Sequence, residues 1–188
     1  DFIDGDFVDL GPWEVTTPDK VEIPEELSLL PMSLLFDRLH GTKSFNYESD
    51  YDDELLFDSI LSAYESTGGD LDLRDSSDII APAAALLALG NGGRIIGAGH
   101  SRGKESDRVS STAYLLEAFG MDVRVKDNFL YIKGEQVPSP PKEPVETFSD
   151  HRLAMTAIIL ASYSGGSVVE RGICSITDPE FIEMMGIT

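Results

Sequence analysis

The stretch "DIIAPAAALLALGNGGRIIGAGHSRGKESDRVSSTAYLLEAFG", residues 78–120, sets the fold class. From about Ile79 to Leu89 the chain is apolar nearly all round rather than along one stripe, which predicts a helix buried on every side. "GNGG" ends that helix with the residue type that turns a chain most easily. "RIIGAG" then reads as a short strand, "KESDR" as a charged helix start, and "VSSTAYLLEAFG" as a second helix closed by glycine. Helices and strands interleaved in this way, with an inner helix that has no polar face, point to an α+β fold of buried helices and outer sheets.

The same order recurs on either side. "SLLPMSLLFDRLHGTKSFNYESDYDDELLFDSILSAYESTGG" (28–69) and "HRLAMTAIILASYSGGSVVERGICSITDPEFIEMMG" (151–186) each run from an apolar helix through a glycine-marked turn and a short strand to an acidic helix start. In the third copy the helix spans about Arg152 to Tyr163 and is again apolar on most sides. The turn glycines Gly41, Gly93 and Gly166 lie 52 and then 73 residues apart, so the longer interval must hold extra elements. "MDVRVKDNFLYIKG" (121–134) alternates apolar and polar residues on both sides of Asp127-Asn128 and predicts an antiparallel hairpin. "EQVPSPPKEPVET" (135–147) holds too much proline for a central strand and reads as a surface connector. The chain thus divides into βαβαββ-like units of about 1–70, 71–134 and 135–188.

Composition removes several classes of function. A net charge of −20 over 188 residues repels nucleic acid and anionic membrane surfaces. The apolar runs are too short to span a bilayer, and "DFIDGDFVDLGPW" lacks the basic start and apolar centre of a signal peptide, so a cytoplasmic setting is expected. A single cysteine, Cys174, excludes an internal disulfide and a cysteine-rich zinc site and reads as a small core residue. The start at Asp1, in mid-pattern, suggests part of a longer protein.

Most of the basic residues follow residue 70, and several gather at predicted helix starts. Asp78 follows "RDSS", Lys104 to Arg108 follow the second-unit strand, and Asp150-His151-Arg152 open the third-unit helix. Helix N-termini carry unpaired N–H groups and partial positive charge and so attract anions. Taken singly, each cluster has an ordinary structural reading. Asp78 and Asp150 suit N-caps worth about 1 kcal/mol. Lys104 and Arg108, four apart with acids between, suit a salt-bridged exposed face, and His151 suits a polar neighbour of a cap. Together they say more: Arg152 opening an apolar helix needs an anionic partner, and Arg102, Lys104, Arg108 and Arg152 put cations into an otherwise negative protein. That pattern suits a small, multiply charged anion such as a phosphate or carboxylate.

"KESDR" (104–108), "SDHRLAM" (149–155) and Asp78 ahead of an apolar helix resemble the C-terminal half of the 5-enolpyruvylshikimate-3-phosphate (EPSP) synthase family, from about Pro24 onward and in the same order. The resemblance implies one lobe of a two-lobed enolpyruvyl transferase fold, spanning residues 1–188, with buried parallel helices and outer sheets and with the second lobe outside this chain. It implies transfer of the carboxyvinyl group of phosphoenolpyruvate to the 5-hydroxyl of shikimate 3-phosphate, with release of phosphate and no cofactor or metal. Asp78, Lys104 and Glu105 take the catalytic roles in that reading: Asp78 as base for the hydroxyl, Lys104 on the hydroxyl and phosphate, Glu105 as proton shuttle. Arg108 and Arg152 would clamp the phosphoenolpyruvate carboxylate, with His151 beside them and His100 near the shikimate ring. The partners implied are the two small substrates and the missing lobe, without which these 188 residues are not expected to turn over.

One departure stands out. The family's lysine in a Lys-Ser/Thr-aromatic-Pro pattern is replaced here by Ile176, and the aromatic by Asp178. Two other readings compete: a non-catalytic lobe that binds phosphorylated ligands after losing that lysine, and the UDP-N-acetylglucosamine enolpyruvyl transferase, which shares the fold but not the Lys-Glu-Ser-Asp-Arg cluster.

Overall fold

A computed structural model describes residues 27–43, 54–65, 68–99, 106–127 and 129–185. Six α-helices and four strands lie within them: α1 Leu30–His40, α2 Glu54–Glu65, β1 Asp70–Asp72, α3 Ile80–Leu89, β2 Gly92–Ile96, α4 Arg108–Ala118, β3 Val123–Lys126, β4 Phe129–Lys133, α5 His151–Ser164 and α6 Phe181–Met184. Short 3-10 turns cover Leu27–Leu29, Ser77–Ile79 and Arg171–Ile176. The fold is α+β, and its sheet is mixed.

Strand order is β1-β2-β4-β3. β1 and β2 are parallel, with Leu71 opposite Ile95, and α3 makes the crossover between them. β4 runs antiparallel to both β2 and β3, and the β3–β4 pair closes at Lys126 opposite Phe129, where the alternation predicted a hairpin. Asp127 takes the left-handed conformation that the tight turn requires (φ 53°).

Helix α3 shows why its sequence has no polar face. Every residue from Ile80 to Ala88 is buried, because the helix packs against α1, α2, α4 and α5 as well as the sheet. Alanine and leucine are strong helix formers, and Pro82 falls within the first turn, where a missing N–H costs nothing. Burying each leucine side chain contributes roughly 1.5–3 kcal/mol. Helix α5 is buried from Arg152 to Leu160 and exposed at Tyr163.

The sheet's other face meets solvent. Arg94 donates to Asp70 at 2.8 and 2.5 Å and lies over the rings of Phe129 and Tyr131, 5.4 and 5.7 Å from their centroids. The hydrogen bonds from Arg94 hold the Asp70 carboxyl below its ordinary range, and the same contact raises the guanidinium. Both groups are well hydrated, so the pair adds little to stability.

The third-unit strand is a correction. Val168 forms only an isolated parallel bridge with Val145, through Val145 N–H to Ser167 O (2.8 Å) and Val169 N–H to Val145 O (3.1 Å). Pro141 and Pro144 precede Val145 in the partner segment, and Glu170 turns the chain left-handed (φ 53°), so no longer ladder can form. Residues 171–176 coil into 3-10 turns instead. The corresponding first-unit strand falls in residues 44–53, outside the described residues. Among the described residues no helix is long and apolar enough to cross a membrane.

Gly92 (φ 74°) marks a backbone crossing: an added Cβ would sit 2.5 Å from Gly134 N and 2.6 Å from Ile132 O. Gly92→Ala is expected to destabilise by more than about 1 kcal/mol in chemical unfolding, because neither the conformation nor the space admits a side chain. Cys174 is fully buried, and burial pushes its thiol up to about 11. The folded state therefore holds the thiol proton more tightly than the unfolded chain, and stability present below pH 9 declines toward pH 11. Cys174→Ala is expected to flatten that decline in unfolding titrations.

Candidate functional site

Two helix starts meet here, and each is fixed by its own aspartate. Asp107 caps α4, accepting from Ser110 N–H at 3.4 Å and from the Ser110 hydroxyl at 3.0 Å. Asp150 caps α5 through Oδ1, accepting from Arg152 N–H at 2.9 Å and Leu153 N–H at 3.4 Å. Both serve the usual purpose of satisfying orphan donors in the first turn.

Asp150 does more than cap. Its other oxygen, Oδ2, accepts the Arg108 Nε–H at 2.9 Å and the Ser106 hydroxyl at 2.9 Å. The Asp150 side chain is completely buried and that of Arg108 is 4% exposed. On its Nη1 side Arg108 donates to Asp78, whose side chain remains 46% exposed. One guanidinium thus joins a buried carboxylate to an open one. Burial works against the Arg108 charge, but Asp150 first and Asp78 second outweigh it and raise the pKa above its ordinary value.

The chain leading into Asp150 is held tightly. Phe148 and Ser149 are both left-handed (φ 53° and 55°), an uncommon state for non-glycine residues. Glu170 offsets that cost by accepting from Ser149 N–H at 3.2 Å and from the Thr147 hydroxyl at 3.1 Å. The Phe148 ring also packs edge-on against Tyr114 of α4, with centroids 5.2 Å apart.

The sequence-derived candidates divide into three groups. Asp78 and Arg108 are brought into contact, and His151 and Arg152 are the first two residues of α5, directly after its cap Asp150. Asp78 is not an N-cap: it lies within the turn Ser77–Ile79, whose cap position is Ser76, and its carboxylate accepts from Arg108. Arg108 is not part of an exposed salt-bridged face either, since it is buried at the base of α4. His100, Lys104 and Glu105, with Arg102, lie outside the described residues. Arg152 finds a hydroxyl: its Nη2 donates to Ser28 Oγ at 2.6 Å and Nη1 to the Ser28 carbonyl at 3.4 Å.

Reading the sequence missed Asp150 as an ion-pair partner and Ser106 as its donor, because both types also fit ordinary capping. The available signal was a buried arginine requirement on α4 with no acid in the first turn of its own helix. Glu170 and Ser28 gave no signal, being brought in by folding from far along the chain. Chemically, the cluster offers a fixed cation with one partner open to solvent. A carboxylate or phosphate ligand could reach that side.

Comparisons with known proteins agree on one family. The family model for EPSP synthase (3-phosphoshikimate 1-carboxyvinyltransferase) matches residues 51–185. The chain is 34% identical over 118 residues to the 3-phosphoshikimate 1-carboxyvinyltransferase of Methanosphaera stadtmanae, covering 62% of this chain and 27% of that protein. It is 37% identical over 119 residues to the enzyme of that name from Methanopyrus kandleri, with the same coverage, and 39% identical over 101 residues to that from Thermococcus kodakarensis, covering 53% and 25%. The chain spans about a quarter of the length of the curated relatives it matches.

Losing the cap of α4 and losing the cation at its base are expected to differ in cost. Asp107→Ala should destabilise by about 1 kcal/mol. Arg108→Leu leaves the Asp150 carboxylate buried without its guanidinium and should cost roughly 3–5 kcal/mol. Urea unfolding of both variants checks the ratio.

Proposed function

The chain belongs to the EPSP synthase family, and we propose that it supplies part of one lobe of a two-lobed cytoplasmic transferase that moves the carboxyvinyl group of phosphoenolpyruvate to the 5-hydroxyl of shikimate 3-phosphate. The observation that carries this reading is Arg108, buried at the start of α4 and shared between Asp78 and the base of α5. In a protein of net charge −20, a desolvated guanidinium paired on its Nη1 side with a half-exposed carboxylate is the feature suited to a small dianionic substrate.

In this reading the hydroxyl oxygen bonds to C2 of phosphoenolpyruvate while C3 takes a proton, giving a tetrahedral intermediate. Loss of a C3 proton and cleavage of the C2–O bond to phosphate then regenerate the double bond. Asp78 receives the hydroxyl proton, Lys104 faces the hydroxyl and phosphate, and Glu105 carries the proton to and from C3. Arg108 and Arg152 hold the carboxylate so that the reacting atoms stay aligned, with His151 beside them and His100 at the shikimate ring. The repeated units and the facing lobe complete the cleft, and the facing lobe supplies the remaining cations.

One observation favours a second reading. Ile176 stands in the place of the family's lysine and is 69% exposed, so no cation is offered there. A lobe of this kind could bind phosphorylated ligands without turnover.

Phosphate release by the full-length protein separates the two. Release that requires both phosphoenolpyruvate and shikimate 3-phosphate, and that UDP-N-acetylglucosamine does not support, is the expected result. Binding without release at saturation would leave the second reading standing. Asp78→Asn should lower kcat by roughly 10²- to 10⁴-fold, as loss of a general base does. Ile176→Lys should lower the KM for phosphoenolpyruvate if the absent cation limits its binding.

A further inference from the structure

Asp150 has no acceptor capacity to spare and no exposure to solvent. Oδ1 is taken by Arg152 N–H and Leu153 N–H, Oδ2 by Arg108 Nε–H and the Ser106 hydroxyl. Its backbone enters through the two left-handed residues that Glu170 secures. A carboxylate held from both oxygens and from its own backbone does not turn toward a ligand. Its role must run through Arg108.

The two acids on Arg108 are unequal. The Asp150 contact is buried on both sides, whereas Asp78 is nearly half exposed on the Nη1 side. An incoming carboxylate can replace an exposed carboxylate at little desolvation cost, but not a buried one. We infer that Asp150 is a positioning residue: by anchoring the Nε edge of Arg108 to the start of α5 it aims the Nη1 side at the place Asp78 now occupies, where a substrate carboxylate exchanges with Asp78. The exchange parts the Asp78 carboxylate from the Arg108 guanidinium as the substrate arrives. This inference rests on the proposed transferase reading for the identity of the carboxylate, that of phosphoenolpyruvate.

The two acids therefore carry opposite signatures in the full-length protein. Asp150→Asn keeps the size and the capping ability of the side chain but removes its charge. It is expected to raise the Kd for phosphoenolpyruvate by at least about tenfold in calorimetric titration, a loss of affinity that a merely structural cap would not produce. Asp78→Asn removes the competitor and is expected to lower that Kd. Nitrogen-15 NMR of the Arg108 Nε–H supplies a readout independent of substrate: the resonance should exchange slowly with solvent in the parent and in Asp78→Asn, and faster in Asp150→Asn. Unchanged exchange in Asp150→Asn would overturn the anchoring role whatever the enzyme does. Equal weakening of binding by both substitutions would overturn the exchange. Should the parent release no phosphate and bind no phosphoenolpyruvate, the transferase reading fails, while the NMR comparison still decides whether Asp150 positions Arg108.

Discussion

Arg108 can be buried only because Asp150 is buried with it. Taking either charge alone out of water would cost several kcal/mol, and the 2.9 Å contact between them, with Ser106 on the same oxygen, is what makes the arrangement tolerable. A pair of this kind contributes little net stability compared with apolar residues of similar volume. Its value lies in geometry. It ties the first residue of α4 to the cap of α5, so that two helices separated by the hairpin and the proline-rich connector start at one point.

The rest of the fold serves that point. Helix α3 is surrounded by four helices and backed by the sheet, and the Ser77–Ile79 turn at its leading end carries Asp78. The β3–β4 hairpin and the bridge between Val145 and Val168 return the chain to α5. Glu170, just beyond that bridge, holds the left-handed turn before Asp150. Apolar burial supplies the stability, and a few carboxylates supply the alignment.

Much of the fold was legible because it follows from periodicity and turn chemistry. The unstriped run after Asp78 meant an inner helix, Asp127-Asn128 meant a hairpin, and Cys174 meant a core position. The strand expected after Gly166 was not legible, because whether valines form a ladder depends on the partner segment, here interrupted by proline. The site was partly legible for a related reason. Charge at a helix start is visible in sequence, so Asp78, Arg108 and Arg152 could be named as residues of interest. Which acid would neutralise which arginine depends on contacts across 30 and 42 residues, and capping preference cannot distinguish a carboxylate that only caps from one that also anchors a guanidinium.

The site therefore turns on one guanidinium with a buried partner and a half-exposed one. A crystal structure of the full-length protein with phosphoenolpyruvate bound tests this most directly. The account predicts that the Arg108 Nε contact to Asp150 persists while the ligand carboxylate takes the place of Asp78 at Nη1. A bound state in which Arg108 keeps Asp78, or leaves Asp150 to reach the ligand, would contradict it.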